Sequence, residues 1–312
     1  GFLAANKDYV QVEGASAIRV RNLKDKPAMI VGGGSGHEPM FGYFVGENLA
    51  DASVAGSVFT SPDPGSILQA AQAVDRGKGI LFVYGNYSGD NMNFDIAGEM
   101  LGDMDIPVKT VRVWDDVASA SKENYLDRRG IAGNVLVIKI AGAATASGLD
   151  LEEAYRVACK ARDNVYSIGV GLSGATIPGE DKPIFTLADD EMEYGLGIHG
   201  EPGVRRGKLQ TADEIVEELV EKILEDSGIQ AGDTVCTLVN GLGATPLLEL
   251  YVMNRKLARL LQEKGIQVHD MDVGTYVTSL EMAGASVTIL KLDDELKNYY
   301  DMPCRSPYYK KG

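Results

Sequence analysis

The sequence predicts an α/β protein built as two α/β domains with parallel or mixed sheets, and three observations lead there. Short β-rich runs alternate with helical patterns along the chain, each run passing into a loop marked by glycine or proline. Its 312 residues suffice for two domains of ordinary size. Glycine is in excess, 37 of 312 residues or about 12% against a usual ~7%, with no repeating triplet. Such an excess fits many tight turns and close backbone approaches.

In the first half, Ala28–Val31, Gly79–Tyr84, Val108–Trp114 and Val135–Ile140 are short apolar runs that read as strands, the last equally readable as a buried helix. Helical patterns at Pro64–Val74 and Asn93–Met104 connect them. The first opens with Ser61-Pro62-Asp63-Pro64, a capping residue and an early proline. A second set begins near Val165, and Ile168–Leu172 reads as a strand. Met192–Ile198 alternates: Met192, Tyr194, Leu196 and Ile198 take the core face, while Glu193, Gly195, Gly197 and His199 take the other. Thr211-Ala212-Asp213-Glu214 fits a capping box, and a stripe through Ile215, Leu219 and Ile223 carries the helix to Ser227-Gly228. Thr234–Val239, a Gly-Leu-Gly loop, a helix over Pro246–Glu263, and strands at Ile266–Met271 and Val287–Leu292 complete the alternation. The simplest division lies within 160–168, giving domains 1–165 and 166–312. There is no internal repeat and no low-complexity linker.

Thirty Lys and Arg stand against 45 Asp and Glu, a formal charge of −15. That balance disfavours a protein whose task is to coat nucleic acid or an anionic membrane. Apolar residues make up 45% and charged residues 24%, ordinary globular usage that excludes disordered and fibrous classes. No stretch approaches the roughly 18 apolar residues of a membrane helix, and Gly1-Phe2-Leu3 carries no secretory signal, so a soluble, cytoplasmic chain is expected. Gly1 in place of Met suggests residues before it. Cys159, Cys236 and Cys304 are far apart, in no metal-like spacing and odd in number, and read as small hydrophobes.

Only three histidines occur, and two sit in glycine-bounded polar loops: Gly32-Gly33-Gly34-Ser35-Gly36-His37-Glu38-Pro39 and Gly197-Ile198-His199-Gly200-Glu201-Pro202-Gly203. An imidazole is a nucleophile or proton carrier near neutral pH, and glycines let a small substrate reach backbone N–H groups. The alternative is that each ring only hydrogen-bonds a turn. His269, inside an apolar run, reads as structural. The 32–36 loop matches neither phosphate-binding pattern: a P-loop needs Lys and Ser or Thr where His37-Glu38 stands, and G-x-G-x-x-G needs glycine at 37. An uncharged, hydroxyl-bearing ligand suits it better. A third constellation, Tyr84 to Phe94, places Asp90 where a strand gives way to a helix. There Asp90 either accepts a hydroxyl proton from a polyol or sugar or merely caps the helix. His37 and Asp90 would line one sheet edge.

Seven strings then converge: Gly33 to Pro39, Phe59-Thr60-Ser61-Pro62, Asn86-Tyr87-Ser88-Gly89-Asp90, Arg128-Arg129-Gly130, Phe185-Thr186-Leu187, Gly197 to Gly203 and Leu242-Gly243-Ala244-Thr245-Pro246. In order and across almost the whole chain, they resemble the substrate-binding subunit family of the dihydroxyacetone kinases, DhaK. The resemblance implies an N-terminal ketone pocket, a C-terminal histidine that bonds the substrate, and a substrate site at the domain interface. By that resemblance His199 forms a hemiaminal with the ketone carbon, His37 and Asp90 are the acid–base pair, and Gly34, Ser35 and Gly36 contact the ligand. A neutral imidazole nitrogen can add to a small carbonyl, and glycerol, lacking one, cannot form that bond.

The resemblance further implies that this chain holds no cofactor or metal. ADP or ATP with Mg²⁺ would sit on a separate DhaL-like subunit, since the sequence to Gly312 lacks the fused helical nucleotide domain of ATP-dependent members. A DhaM-like phosphotransferase-system protein would recharge that subunit. A homodimer is also implied, with no direct contact to nucleic acid or membrane. Two positions depart from the family pattern. Gly85 stands where dihydroxyacetone-specific members are expected to carry lysine, which favours a larger ketose such as a tetrulose or a weaker hold on dihydroxyacetone. Met40-Phe41 replaces an expected Ala-His. Alternatives are a tetrulose kinase subunit, another ketose-binding enzyme, or a non-catalytic DhaQ-like coactivator working with a transcription regulator; retention of His37 and Asp90 beside His199 favours catalysis.

Overall fold

The structure, a computed structural model, describes residues 1–312. In chain order it runs α1 (Phe2–Ala5), β1 (Tyr9–Gln11), β2 (Ala17–Val20), β3 (Ala28–Ser35), β4 (Ala52–Val58), α2 (Pro64–Val74), β5 (Ile80–Gly85), α3 (Ser88–Gly102), β6 (Val108–Val113), α4 (Gly133–Ala146) and α5 (Leu151–Arg162). There follow β7 (Val165–Gly171), β8 (Glu191–Tyr194), β9 (Arg205–Lys208), α6 (Ala212–Ser227), β10 (Thr234–Gly241), α7 (Leu247–Glu263), β11 (Gln267–Gly274), β12 (Gly284–Leu292), α8 (Asp294–Asp301), β13 (Cys304–Arg305) and β14 (Lys310–Lys311).

Two compact units result, and neither is contiguous. One comprises Gly1–Val113, Leu136–Asp163 and Asp294–Gly312; the other comprises Trp114–Val135 and Asn164–Asp293. The division expected between 165 and 166 falls close to one crossing. However, 114–135 lies with the second unit and 294–312 with the first, contrary to domains 1–165 and 166–312. The reasons are hydrogen bonds that periodicity does not report. Ser167 donates its N–H to the Asp115 carbonyl (2.7 Å) and Val117 to that of Ser167 (2.9 Å), laying 115–117 alongside β7. At the other end, Lys139 on α4 donates its ammonium to the carbonyls of Tyr299 (3.3 Å) and Met302 (2.5 Å), tying α8 and the tail to the first unit.

Lys139 is fully buried, and burial lowers its pKa. Lys139→Met keeps the volume but leaves two carbonyls without their donor. We expect a loss of about 2–3 kcal/mol in a denaturant titration. An unchanged midpoint would show that water replaces the ammonium at no cost.

The first unit's sheet has the order β1-β2-β4-β3-β5-β6, parallel over β4, β3, β5 and β6 and antiparallel at the β1–β2–β4 edge. β3 and β5 are buried on both faces, which is why they read as unbroken apolar runs. On one face α2 and α3 pack with Ile30, Val54, Phe82 and Tyr84; Phe94 of α3 stacks on Tyr84 at 4.2 Å and meets Phe82 edge-on at 5.1 Å. The ambiguous run Val135–Ile140 is helix, within α4, buried along its length to Thr145. Without a polar face it shows no amphipathic stripe.

The second unit's sheet has the order β11-β10-β12-β7-β8-β9, and only β10 and β11 are parallel. The strand–helix–strand rhythm seen there is thus one parallel unit, β10–α7–β11, with β12 inserted antiparallel. α6 begins in the expected capping box of Thr211 and Glu214 and ends at left-handed Gly228. β8 stops at Tyr194, where Gly195 takes a φ of 69°, so the alternation over Met192–Ile198 is a strand for only half its length.

Candidate functional site

In the first unit the site residues follow the carboxyl ends of neighbouring parallel strands, where ligands of open α/β sheets bind. β3 runs through the glycines to Ser35, so Gly34 lies in the strand and not in a loop after it. A Cβ on Gly34 would stand 2.8 Å from the Thr60 nitrogen; glycine there allows the 59–61 segment to close over β3. Ser35 donates its hydroxyl to the Gly56 carbonyl (2.7 Å) and accepts at its own carbonyl from the Phe59 N–H (2.9 Å). Gly36 N–H donates to the Glu38 carboxylate (2.9 Å). His37, 2% exposed, stacks on the Phe59 ring with centroids 5.0 Å apart, and Phe59 itself holds a left-handed φ of 57°.

Asp90 follows β5, the other strand flanking β3, and lies buried in the first turn of α3. Tyr87 is the N-cap of α3 and makes no side-chain cap hydrogen bond, with Asp90 three positions further on in the first turn. Its loop is braced: Asn86 N–H donates to Val113 (2.8 Å), Asn91 to the Asn86 side chain (2.8 Å), and Asn93 of α3 to the Pro62 carbonyl (2.9 Å). Gly85, the departure from the family pattern, is the last residue of β5 and pairs with Val113. Beside these loops opens a cavity of about 470 Å³ lined by Gly33, Gly34, Ser35 and Glu38, with Met40 and Phe41 on its apolar wall.

His199 is in the second unit, in the loop joining antiparallel β8 and β9. That loop is fastened at its base: Val204 N–H donates to the Tyr194 carbonyl (2.8 Å), Gly203 N–H to Glu193 (2.7 Å), and Gly197 N–H to the Glu201 carbonyl (3.0 Å). The Glu201 carboxylate grips residue 199 twice, accepting from its backbone N–H (3.0 Å) and facing its Nδ1 at 2.9 Å. Since an ionised carboxylate only accepts, Nδ1 is the donor in this contact. Burial works against charge on Glu201, yet the hydrogen bonds from His199 hold its pKa down at about 2.

Behind Glu201, Arg129 Nη1 stands 3.9 Å from its carboxylate. Arg129 also donates through Nε and Nη2 to buried Asp116 (3.0 and 2.8 Å) and through Nη2 to the Gly195 carbonyl (2.9 Å). Burial pushes the Asp116 carboxyl up to about 6, with Arg129 opposing.

The Glu201 contact has an acid signature. Its folded pKa is depressed from an ordinary 4.5, so its contribution to stability is complete above pH ~4.5 and is lost as pH falls through ~2. The difference in unfolding free energy between the wild type and Glu201→Gln should shrink across that window. A difference flat from pH 5 to 2 refutes the contact.

Of the residues singled out in sequence, Gly34, Ser35, Gly36, His37 and Asp90 stand at one sheet edge of the first unit, and His199 stands in the second. Glu201 was missed as a functional residue although it sits in the quoted loop; a carboxylate two residues from a histidine between glycines was the available signal. Arg129 and Asp116 had no local signal beyond the Arg128-Arg129-Gly130 string. No group of three or more His, Cys, Asp or Glu side chains is arranged to hold a metal ion, and no helix is long and apolar enough to cross a membrane. In the second unit, the neutral His199 tautomer that donates from Nδ1 has a lone pair on Nε2 able to add to an electrophilic carbon; in the first unit, the buried Asp90 carboxylate after a strand end is able to accept a hydroxyl proton.

The chain is 46% identical over 99% of its length to PTS-dependent dihydroxyacetone kinase 2, dihydroxyacetone-binding subunit DhaK, of Listeria innocua, and covers 94% of that protein. It is 41% identical over its whole length to L-erythrulose 1-kinase of Mycolicibacterium smegmatis, of which it spans 56%. Among solved structures, the dihydroxyacetone kinase operon co-activator Dha-DhaQ superposes with a TM-score of 0.92 at 32% identity, covering 97% of this chain and 94% of that one. Residues 1–308 match the Dak1 domain model, and the chain therefore belongs to the Dak1 domain family.

Proposed function

We propose that this chain is the ketose-binding subunit of a dihydroxyacetone-type kinase, holding the ketone as a hemiaminal on His199 while a separate subunit phosphorylates it. What supports this reading is the contact between His199 Nδ1 and Glu201, which favours the neutral tautomer whose lone pair, and so whose nucleophilic nitrogen, is Nε2. Coverage of 94% of a dihydroxyacetone-binding subunit supports it. His37 and Asp90 take the acid–base roles, and Gly34, Ser35 and Gly36 contact the ligand. ADP or ATP with Mg²⁺ sits on a DhaL-like partner: ATP gives its γ-phosphoryl group to the ketose, and the ADP left behind is recharged by a DhaM-like phosphotransferase protein. The working form is a cytoplasmic homodimer.

Two other readings each have an observation behind them. The fold likeness to an operon co-activator favours a ketone sensor acting through a transcription regulator. Gly85 at the end of β5, together with 41% identity to an erythrulose kinase, favours a C4 ketose. Mixing the chain with the nucleotide-binding subunit of the Listeria innocua kinase and a panel of C3 and C4 ketoses tests all three. Phosphate ester formation identifies the kinase and its best substrate; ketose binding without ester formation identifies the sensor.

A further inference from the structure

We infer that Asp116 and Arg129 are positioning residues for His199, holding Glu201 as a fixed anion against Nδ1 so that Nε2 meets the ketone carbon. The inference rests on the ketose-binding function proposed above. Four side chains make up the network: buried Asp116 accepts two hydrogen bonds from Arg129, Arg129 stands against Glu201, and Glu201 faces the His199 ring. Arg129 is also pinned to the Gly195 carbonyl, at the point where the chain leaves β8 for the histidine loop. The backbone is shaped around this network. A Cβ on Gly197 would lie 2.0 Å from the Glu201 carboxylate and 2.5 Å from the Arg129 guanidinium, so residue 197 leaves open the space in which the two meet.

The chemistry explains why a held anion is needed. In the capture step the Nε2 lone pair forms the N–C bond, the carbonyl π electrons move to oxygen, and that oxygen takes a proton from solvent. The ring, which keeps its Nδ1 proton, becomes a cation. Glu201 therefore acts twice. Before the step it selects the tautomer whose lone pair lies on Nε2, and during it the carboxylate faces the positive charge that develops on the ring. Both actions fail if Glu201 turns away or takes up the proton. Arg129 guards against the first, standing 3.9 Å from the carboxylate and limiting its movement, and Asp116 holds Arg129 in turn. The Arg128-Arg129-Gly130 string thus serves the histidine seventy positions further along.

With only three histidines, ¹⁵N-histidine NMR can resolve the tautomer of each ring, and ketose capture can be followed with [2-¹³C]dihydroxyacetone and [2-¹³C]erythrulose. The wild type should show His199 protonated at Nδ1. Glu201→Gln keeps shape but offers an amide that can donate; it should shift the ring toward the Nε2–H form and weaken capture at least ~100-fold. Single loss of Arg129 would strand a buried carboxylate, so the paired variant Asp116→Asn/Arg129→Gln removes both charges together. It should stay folded, mix the His199 tautomers and weaken capture by about 10-fold, while Arg129→Lys restores part of the loss. A wild-type ring protonated at Nε2, or a paired variant with unchanged tautomer and capture, overturns the inference. If the tautomers respond as described but the wild type captures neither ketose, the positioning is supported and the ketose reading beneath it fails.

Discussion

His199→Ala is expected to abolish the ketose adduct entirely. A triose makes only a few hydrogen bonds, and each exchanges a bond to water for one to protein at a net gain of about 0.5–1.5 kcal/mol. That is too little to separate a ketone from glycerol, whose hydroxyls offer the same bonds. In the function proposed above, the N–C bond distinguishes them, and such a bond requires an imidazole nitrogen with an available lone pair. The loop around residue 199 is fastened through Glu193, Tyr194 and Glu201, so the alanine variant should keep its fold, checked by circular dichroism. In [2-¹³C]dihydroxyacetone the labelled carbon should move from the carbonyl to the tetrahedral region on binding to the wild type and remain unmoved with the variant. In a ligand-soaked crystal the wild type should show continuous density from the ring to a ligand carbon. A bound ketose beside a free imidazole would refute the covalent reading.

The second large effect is kinetic. Asp90→Asn should retain the adduct while cutting turnover with the nucleotide-bearing partner by about 100-fold or more. As the new P–O bond forms, the attacking hydroxyl sheds its proton, and a carboxylate in hydrogen-bond reach lowers the barrier by accepting it. Asparagine has the same shape but no capacity to accept that proton. Asp90 is held in the first turn of α3, and Phe94, one turn further along the same face, anchors the helix by stacking on Tyr84, so the substitution should not disturb the helix. A fall in kcat with KM little changed is the expected pattern. Unchanged turnover would remove Asp90 from the mechanism.

What the sequence disclosed was mostly local. Asp63-Pro64 and the Thr211/Glu214 box marked helix starts because capping is a contact among neighbours in sequence. α3 was placed five residues late, since its N-cap, Tyr87, makes no side-chain cap and leaves no such mark. Val135–Ile140 could not be assigned because a helix buried all round loses the periodicity that separates helix from strand. Long-range facts stayed hidden: that 114–135 pairs with β7, that β12 enters its sheet antiparallel, and that Arg129 reaches the carboxylate of Glu201. His37, Asp90 and His199 stood out as candidates because each lies in or beside a polar, glycine-flanked loop. The carboxylates and guanidinium behind His199 did not, because Asp116, Arg129 and Glu201 are ordinary ionic residues whose contacts are set by the fold.

The buried ammonium of Lys139 also sets an order of assembly during synthesis. Once the ribosome has passed residue 293, every segment of the second unit has been made, whereas the first still lacks 294–312. Until those residues emerge, Lys139 has no carbonyls from Tyr299 and Met302 to receive its protons, and Arg156 and Lys160 have no Glu295. The unit begun first is therefore sealed last, and until α8 and the tail close over it the Lys139 ammonium remains open to water, so its desolvation falls among the last events of assembly.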